Sequence, residues 1–258
     1  MRVRSAGDGP DLALVHGWGL GAQVWNSVAA GLEATCRVHR VSLAGYDGTS
    51  PDELDFSATA IQVADALPTG CTLCGWSLGG MLALAAARLR PEQVGRLVLV
   101  ATSPRFVLGE DWSHGQAPAL LDSFRDALAG NATATLSRFI MLFNQGDHKA
   151  RAISRLLSPV VAQETPDPPT LLRGLAWLAD VDQREHLEAI MQPALVIHGE
   201  ADPLIPAAAG RYLANSLPNA GPENLMCNGG AAHAPFLSAS EAFIQRVSAF
   251  CHSRHDAS

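Results

Sequence analysis

Short apolar runs recur along the chain, separated by stretches with helical periodicity. The runs Leu12–His16, Arg37–Leu43, Thr72–Gly75, Leu97–Ala101, Ala194–Gly199 and Asn224–Cys227 are rich in Val, Leu and Ile without strict alternation. Strands covered on both faces have this character, and strands alternating with helices predict a mostly parallel sheet. Met81–Arg90 reads as a helix stopped by Pro91, and Glu241–Cys251 as a closing amphipathic helix. After Ala101 the alternation breaks. Leu136, Phe139, Ile140 and Phe143 recur at i, i+3, i+4, i+7, as do Ile153, Leu156, Leu157 and Val160. Pro166–Pro169 punctuates this region, Thr170–Ala179 resumes as a helix, and the sheet pattern returns at Ala194. The predicted class is α/β, a mostly parallel central sheet with helices on both faces and an inserted helical cap. Residues 1–103 form the first part of the core, 104–190 the cap, and 191–258 the second part of the core.

Composition narrows this picture. The 258 residues are 48% hydrophobic, enough for one large α/β domain carrying an insertion. No run of about 18 apolar residues occurs, so no membrane span is expected. The first ten residues lack the apolar stretch of a signal peptide, and the expected location is cytoplasmic. Five cysteines, an odd number, fit a reduced protein; Cys71 and Cys74 form a lone C-x-x-C without a second pair to complete a zinc site. The formal charge of −7 argues against nucleic-acid binding, which rests on neutralising phosphates. A cofactor-free, metal-free monomer is the expectation.

Candidate chemistry centres on Gly75-Trp76-Ser77-Leu78-Gly79-Gly80, between a strand and an alanine-rich helix. A serine on such a tight turn stands exposed at the carboxyl edge of the sheet, and glycines two residues to either side let neighbouring backbone pass close. Ser77 is therefore a candidate nucleophile. It needs a base to take its proton and an acid to orient that base, in loops after later strands. Asp202 follows the strand Ala194–Gly199, with Glu200 as a rival acid nearer the strand end. His233 follows the last strand in Ala231-Ala232-His233-Ala234-Pro235-Phe236. Read alone, Asp202 before Pro203 is also a turn residue or helix cap, and His233 a surface-loop residue. For the oxyanion, the backbone N–H groups of Leu78 and of Trp18, in His16-Gly17-Trp18-Gly19, are the candidate donors. His16 precedes the serine by a whole sheet unit and reads as a hydrogen-bonder that shapes its loop.

These four motifs resemble those of the α/β-hydrolase superfamily over nearly the whole chain. The resemblance implies the α/β-hydrolase fold, and Ser77 argues against the members that use an aspartate nucleophile. Within the superfamily, HGWG, GWSLGG and AAHAPF, with Asp182-Gln183-Arg184 before the acid strand, are similar to the biotin-pathway esterases that demethylate pimeloyl-acyl-carrier-protein methyl ester. That likeness implies a Ser77–Asp202–His233 triad in a serine carboxylesterase, Trp18 and Leu78 flanking the substrate, and Phe143 lining the acyl channel. A general short-chain carboxylesterase, a C–C bond hydrolase of ring-cleavage products and a non-catalytic ligand-binding member of the fold are the alternatives. One departure stands out: Ser42-Leu43-Ala44-Gly45-Tyr46-Asp47-Gly48-Thr49-Ser50 replaces the Asp, the Pro and one Gly of the family's usual loop.

An acyl-carrier-protein partner is acidic and calls for a local basic surface on an acidic chain. Between Asn131 and Gln163 the bases are Arg138, Lys149, Arg151 and Arg155 against the single acid Asp147, four minus one, or +3. His148, Arg151 and Arg155 fall at i, i+3, i+7, off the predicted apolar stripe. They mark a candidate carrier-docking face on the cap, or an ordinary solvated one.

Overall fold

The computed structural model describes residues 1–253; the last five residues of the predicted core, 254–258, lie outside the described residues. Seven strands form one sheet: β1 (Arg2–Ala6), β2 (Asp11–Val15), β3 (Arg37–Ser42), β4 (Cys71–Trp76), β5 (Val94–Val100), β6 (Ala194–Gly199) and β7 (Leu225–Asn228). Their spatial order is β1-β3-β2-β4-β5-β6-β7. All neighbours run parallel except β1, which pairs antiparallel with β3 from Arg2↔Ser42 to Ala6↔Val38. β1 was not predicted. Its Arg-Val-Arg-Ser-Ala sequence alternates charge with small or apolar residues, as an edge strand half open to water can.

Ten helices accompany the strands among the described residues: α1 (Asn26–Glu33), α2 (Phe56–Asp65), α3 (Leu78–Leu89), α4 (Pro118–Leu128), α5 (Ala132–Phe143), α6 (Ala150–Gln163), α7 (Pro168–Asp180), α8 (Ala207–Ser216), α9 (Pro235–Ser238) and α10 (Ser240–His252). Alternate strand residues feed two apolar layers. Leu12, Leu14 and Val38 meet Trp25, Val28, Phe243 and Val247 on one face. Ala13, Val15 and Leu73 meet Val63, Leu82 and Leu213 on the other. Each fully buried Leu or Val stabilises the fold by about 1.5–3 kcal/mol relative to exposure. Because β4 is central and α3 lies flat against it, every residue from Cys71 to Ala87 is buried.

Between β5 and β6 the described chain builds α4–α7, a 3₁₀ segment at Arg184–Ala189 and isolated bridges, and the four α-helices share the apolar cluster of the sheet's upper face through Leu121, Phe139, Leu157 and Leu175. The α6 stripe is narrower than its periodicity predicts. Ile153, Leu157 and Val161 are buried, while Leu156 is 51% exposed. The contact follows one i, i+4 row, so Leu156 turns outward beside the arginines. His148 also leaves the predicted row: α6 begins at Ala150, and His148 Nδ1 donates to Gly230 O at 2.8 Å. Among the described residues no helix is long and apolar enough to cross a membrane.

Candidate active site

β4 ends at Trp76, and Ser77 turns the chain into α3 at φ 56°, ψ −119°. A positive φ costs a non-glycine residue about 1–3 kcal/mol and persists only where its surroundings impose it. Here Ser77 N–H donates to Val100 O at 2.9 Å, and Ser77 O accepts from Thr102 Oγ1 at 2.7 Å and Gly80 N at 2.9 Å. The glycines serve close approach. A Cβ on Gly75 would lie 2.2 Å from Gly79 O, one on Gly79 2.5 Å from both Val15 O and His16 O, and one on Gly17 3.2 Å from Ser77 Cβ.

Two loops bring the other predicted members together. Asp202 is buried just past β6, and both of its oxygens are used. Oδ1 accepts from Leu204 N at 2.8 Å and Ile205 N at 2.9 Å; Oδ2 accepts from His233 Nδ1 at 2.8 Å. The turn reading and the acid reading of Asp202 thus hold at once. Burial by itself pushes this carboxyl up, but the charges and hydrogen bonds of His233 and His198 outweigh it and hold the group far below the usual carboxylate range. The rival Glu200 is exposed. Because a carboxylate only accepts, His233 carries a proton on Nδ1, and it is the neutral ring in this tautomer that presents a lone pair at Nε2. Among the described residues that buried Nε2 has no hydrogen-bond partner. His198 donates from Nε2 to Ile205 O at 2.8 Å and lies 3.5 Å from Asp202 Oδ2, bracing the acid rather than reaching Ser77.

Leu78 heads α3, so its N–H has no partner within the helix. The Gly17–Gly19 loop brings Trp18 alongside, its indole Nε1 donating to Leu171 O at 2.8 Å. His16 holds this loop from behind: it is fully buried, Nδ1–H donates to Gly17 O at 2.9 Å, and Nε2 accepts from Leu43 N at 3.1 Å. The unusual Ser42–Ser50 loop supplies its own carboxylate, since Asp47 Oδ2 accepts from Ser42 Oγ at 2.6 Å and Ala22 N at 2.7 Å.

Above Ser77 lies an apolar cavity walled by Trp18, Phe106, Leu121, Phe124, Phe139 and Leu175 among others. It is tightly packed, with a free volume of about 10 Å³. Phe143 is fully buried, with its ring 5.9 Å from the His233 ring and 5.8 Å from Trp76. Arg138, Lys149, Arg151 and Arg155 are all exposed on α5, α6 and the turn between them. Arg151 and Arg155 rim an open groove with Met141 and Ser154, whereas Arg138 borders a separate cleft beside α4. Among the described residues no group of three or more His, Cys, Asp or Glu is placed to hold a metal.

Two contributors were not foreseen. Trp76, a variable position of the pentapeptide, donates from Nε1 to His233 O at 2.7 Å and ties the serine strand to the histidine loop. The Tyr46 ring packs tilted against His16 with centroids 4.6 Å apart, and its hydroxyl accepts from Gly19 N at 3.2 Å.

The sheet order, the strained serine turn and the paired acid and histidine define a hydrolase of the α/β class. The chain belongs to the alpha/beta hydrolase family, whose sequence profile matches residues 12–246. It is 41% identical over 238 residues to the pimeloyl-[acyl-carrier protein] methyl ester esterase of Aromatoleum aromaticum, covering 90% of this chain and 94% of that one. With the protein of the same description from Nitrosomonas europaea it shares 38% over 246 residues, 95% and 96% of the two chains. Among solved structures, a bromoperoxidase from Bacillus anthracis superposes with a TM-score of 0.86 at 21% identity over 97% of this chain and 95% of that one. An esterase from Exiguobacterium antarcticum gives 0.85 at 20% identity over the same shares. At such identities these two likenesses speak to the fold alone.

Proposed function

We propose that this chain is a serine carboxylesterase that hydrolyses the methyl ester of a pimeloyl group carried by acyl-carrier protein, a step of biotin biosynthesis. The observation that carries the reading is the buried His233–Asp202 pair with its unpartnered Nε2, tied through the Trp76 indole to the residue that precedes Ser77, whose turn borders an apolar cavity. The relatives' shared activity supplies the substrate.

In this reading His233 Nε2 takes the Ser77 proton as Oγ attacks the ester carbonyl, while Asp202 holds the tautomer and balances the imidazolium. The oxyanion is held by the N–H groups of Leu78 and Trp18. The tetrahedral intermediate collapses, the C–O bond to methoxide breaks, and His233 returns the proton so that methanol leaves. Water then attacks the acyl-enzyme with His233 again as base, releasing the free carboxylate and restoring Ser77. The cavity is the acyl site. The cavity is too tightly packed as it stands for a seven-carbon chain, and in this reading α4 and its neighbours part to admit it. The basic residues of α5, α6 and their turn are the carrier contacts of this reading.

Ser77→Ala tests the assignment. Turnover of the carrier-linked methyl ester should fall by at least about 10³-fold with the melting temperature little changed. Retained turnover would overturn the mechanism, and the wild-type chain failing to hydrolyse this ester while cleaving short soluble ones would overturn the substrate.

A further inference from the structure

Asp147 sits in the turn between α5 and α6, and its side chain is completely buried although its neighbours His148 and Lys149 are exposed. Burying a carboxylate is costly unless donors surround it. Two of its donors come from the histidine loop and one from its own turn. Oδ2 accepts from Ala232 N at 2.8 Å and from the hydroxyl of Ser238, while Oδ1 accepts from Lys149 N at 2.7 Å. Ala232 immediately precedes His233 and Ser238 closes the helix just after it, so one carboxylate grips the chain on both sides of that residue. The same turn adds three further bonds. His233 N–H donates to Phe143 O at 3.3 Å, and His148 donates to Gly230 O from its backbone N at 2.9 Å and from Nδ1 at 2.8 Å. Asp202 fixes the imidazole from the core side; the backbone carrying it is fixed from the α5–α6 side.

We propose that Asp147 is a positioning residue for His233, holding the histidine loop through Ala232 and Ser238 so that Nε2 stays in reach of the serine. The inference rests on the triad reading above. A displacement of a reacting group by about 1 Å costs up to about 100-fold in rate, and a single charged acceptor shared by two points of one loop guards against such a displacement. The role belongs to kcat, because no Asp147 atom has to meet substrate.

The test compares Asp147→Ala and Asp147→Asn with wild type on p-nitrophenyl butyrate, below the melting transition of each. Asp147→Ala should lower kcat about 10- to 100-fold with KM changed by less than about twofold, and slow fluorophosphonate labelling of Ser77 by the same factor. The downfield proton resonance of the His233 Nδ1–H in its bond to Asp202 should shift or broaden. Asp147→Asn keeps one acceptor oxygen and should recover part of the rate; should the alanine variant not fold, the asparagine variant decides by the same measurements. Folded variants with wild-type kcat and an unmoved resonance would overturn the proposal, as would a loss seen only in KM. Failure of the triad reading is distinguishable, since wild-type Ser77 would then not label with the fluorophosphonate at all.

Discussion

His16 uses both ring nitrogens inside the protein, and the two roles demand the neutral ring: Nδ1–H donates to Gly17 O while Nε2 accepts from Leu43 N–H. Burial lowers its pKa from the ordinary 6.5, and the Gly17 bond and the Asp47 charge offset that only in part. The unfolded chain therefore binds a proton near pH 6.5 that the folded chain refuses until lower pH. The stability His16 contributes is complete above about 6.5 and is lost as pH falls from there through the folded value, at up to about 1.4 kcal/mol per pH unit. Urea titrations at pH 7.5, 6.5 and 5.5 should show a shallower loss in His16→Gln than in wild type; equal slopes would refute the linkage. The candidate residues that the sequence singles out share one property, a local announcement. Ser77 is flanked by glycines that a tight turn needs, and Asp202 and His233 follow strand ends in the order a triad on this fold would take. Asp147 has no such sign. Its partners Ala232 and Ser238 lie 85 and 91 residues along the chain, so in sequence it is only the one acid in a basic hairpin.

Elements follow the same logic of local and distant causes. The five inner strands and β7 were legible because apolar runs covered on both faces are hard to mistake, although β5 starts at Val94, three residues before its most apolar stretch. Edge strand β1 lacked that signal, and the phase of α6 depended on neighbours that periodicity does not name. α3 crosses close over the end of β2 beside the serine, and Gly79 makes that approach possible. Gly79→Ala should cost at least about 1–3 kcal/mol by overpacking, because the new methyl meets backbone oxygens of Val15 and His16 that cannot move without shifting the sheet. Gly130→Ala is the control: its Cβ would find only Ala127 O at 3.6 Å, and its stability should stay within about 1 kcal/mol of wild type. Thermal denaturation of both variants distinguishes crowding from the general effect of losing a glycine; similar melting temperatures would refute the crowding account.

Across the whole molecule, charge and shape are arranged unevenly. The chain carries −7, yet between Asn131 and Gln163 the one acid is turned inward and its side chain is fully buried, while Arg138, Lys149, Arg151 and Arg155 face solvent. The net +3 of this segment is therefore presented to solvent by the four cations of α5, α6 and their turn, with the one carboxylate held beneath them. Reversing Arg151 and Arg155 together to Glu should raise KM for the carrier-linked ester about tenfold or more, with an effect that shrinks in high salt, and leave p-nitrophenyl butyrate hydrolysis unchanged. Equal effects on both substrates, or none, would remove the carrier from this face. The narrowness of the cavity has a consequence of a different kind. With a free volume of about 10 Å³, the cavity in this form is too small for an acyl chain. If an ester enters only where the helices have parted, its apparent affinity is diluted by the fraction of molecules in that state. Were one molecule in about a hundred open, wedging α4 outward would tighten apparent binding by about a hundredfold without adding a single contact.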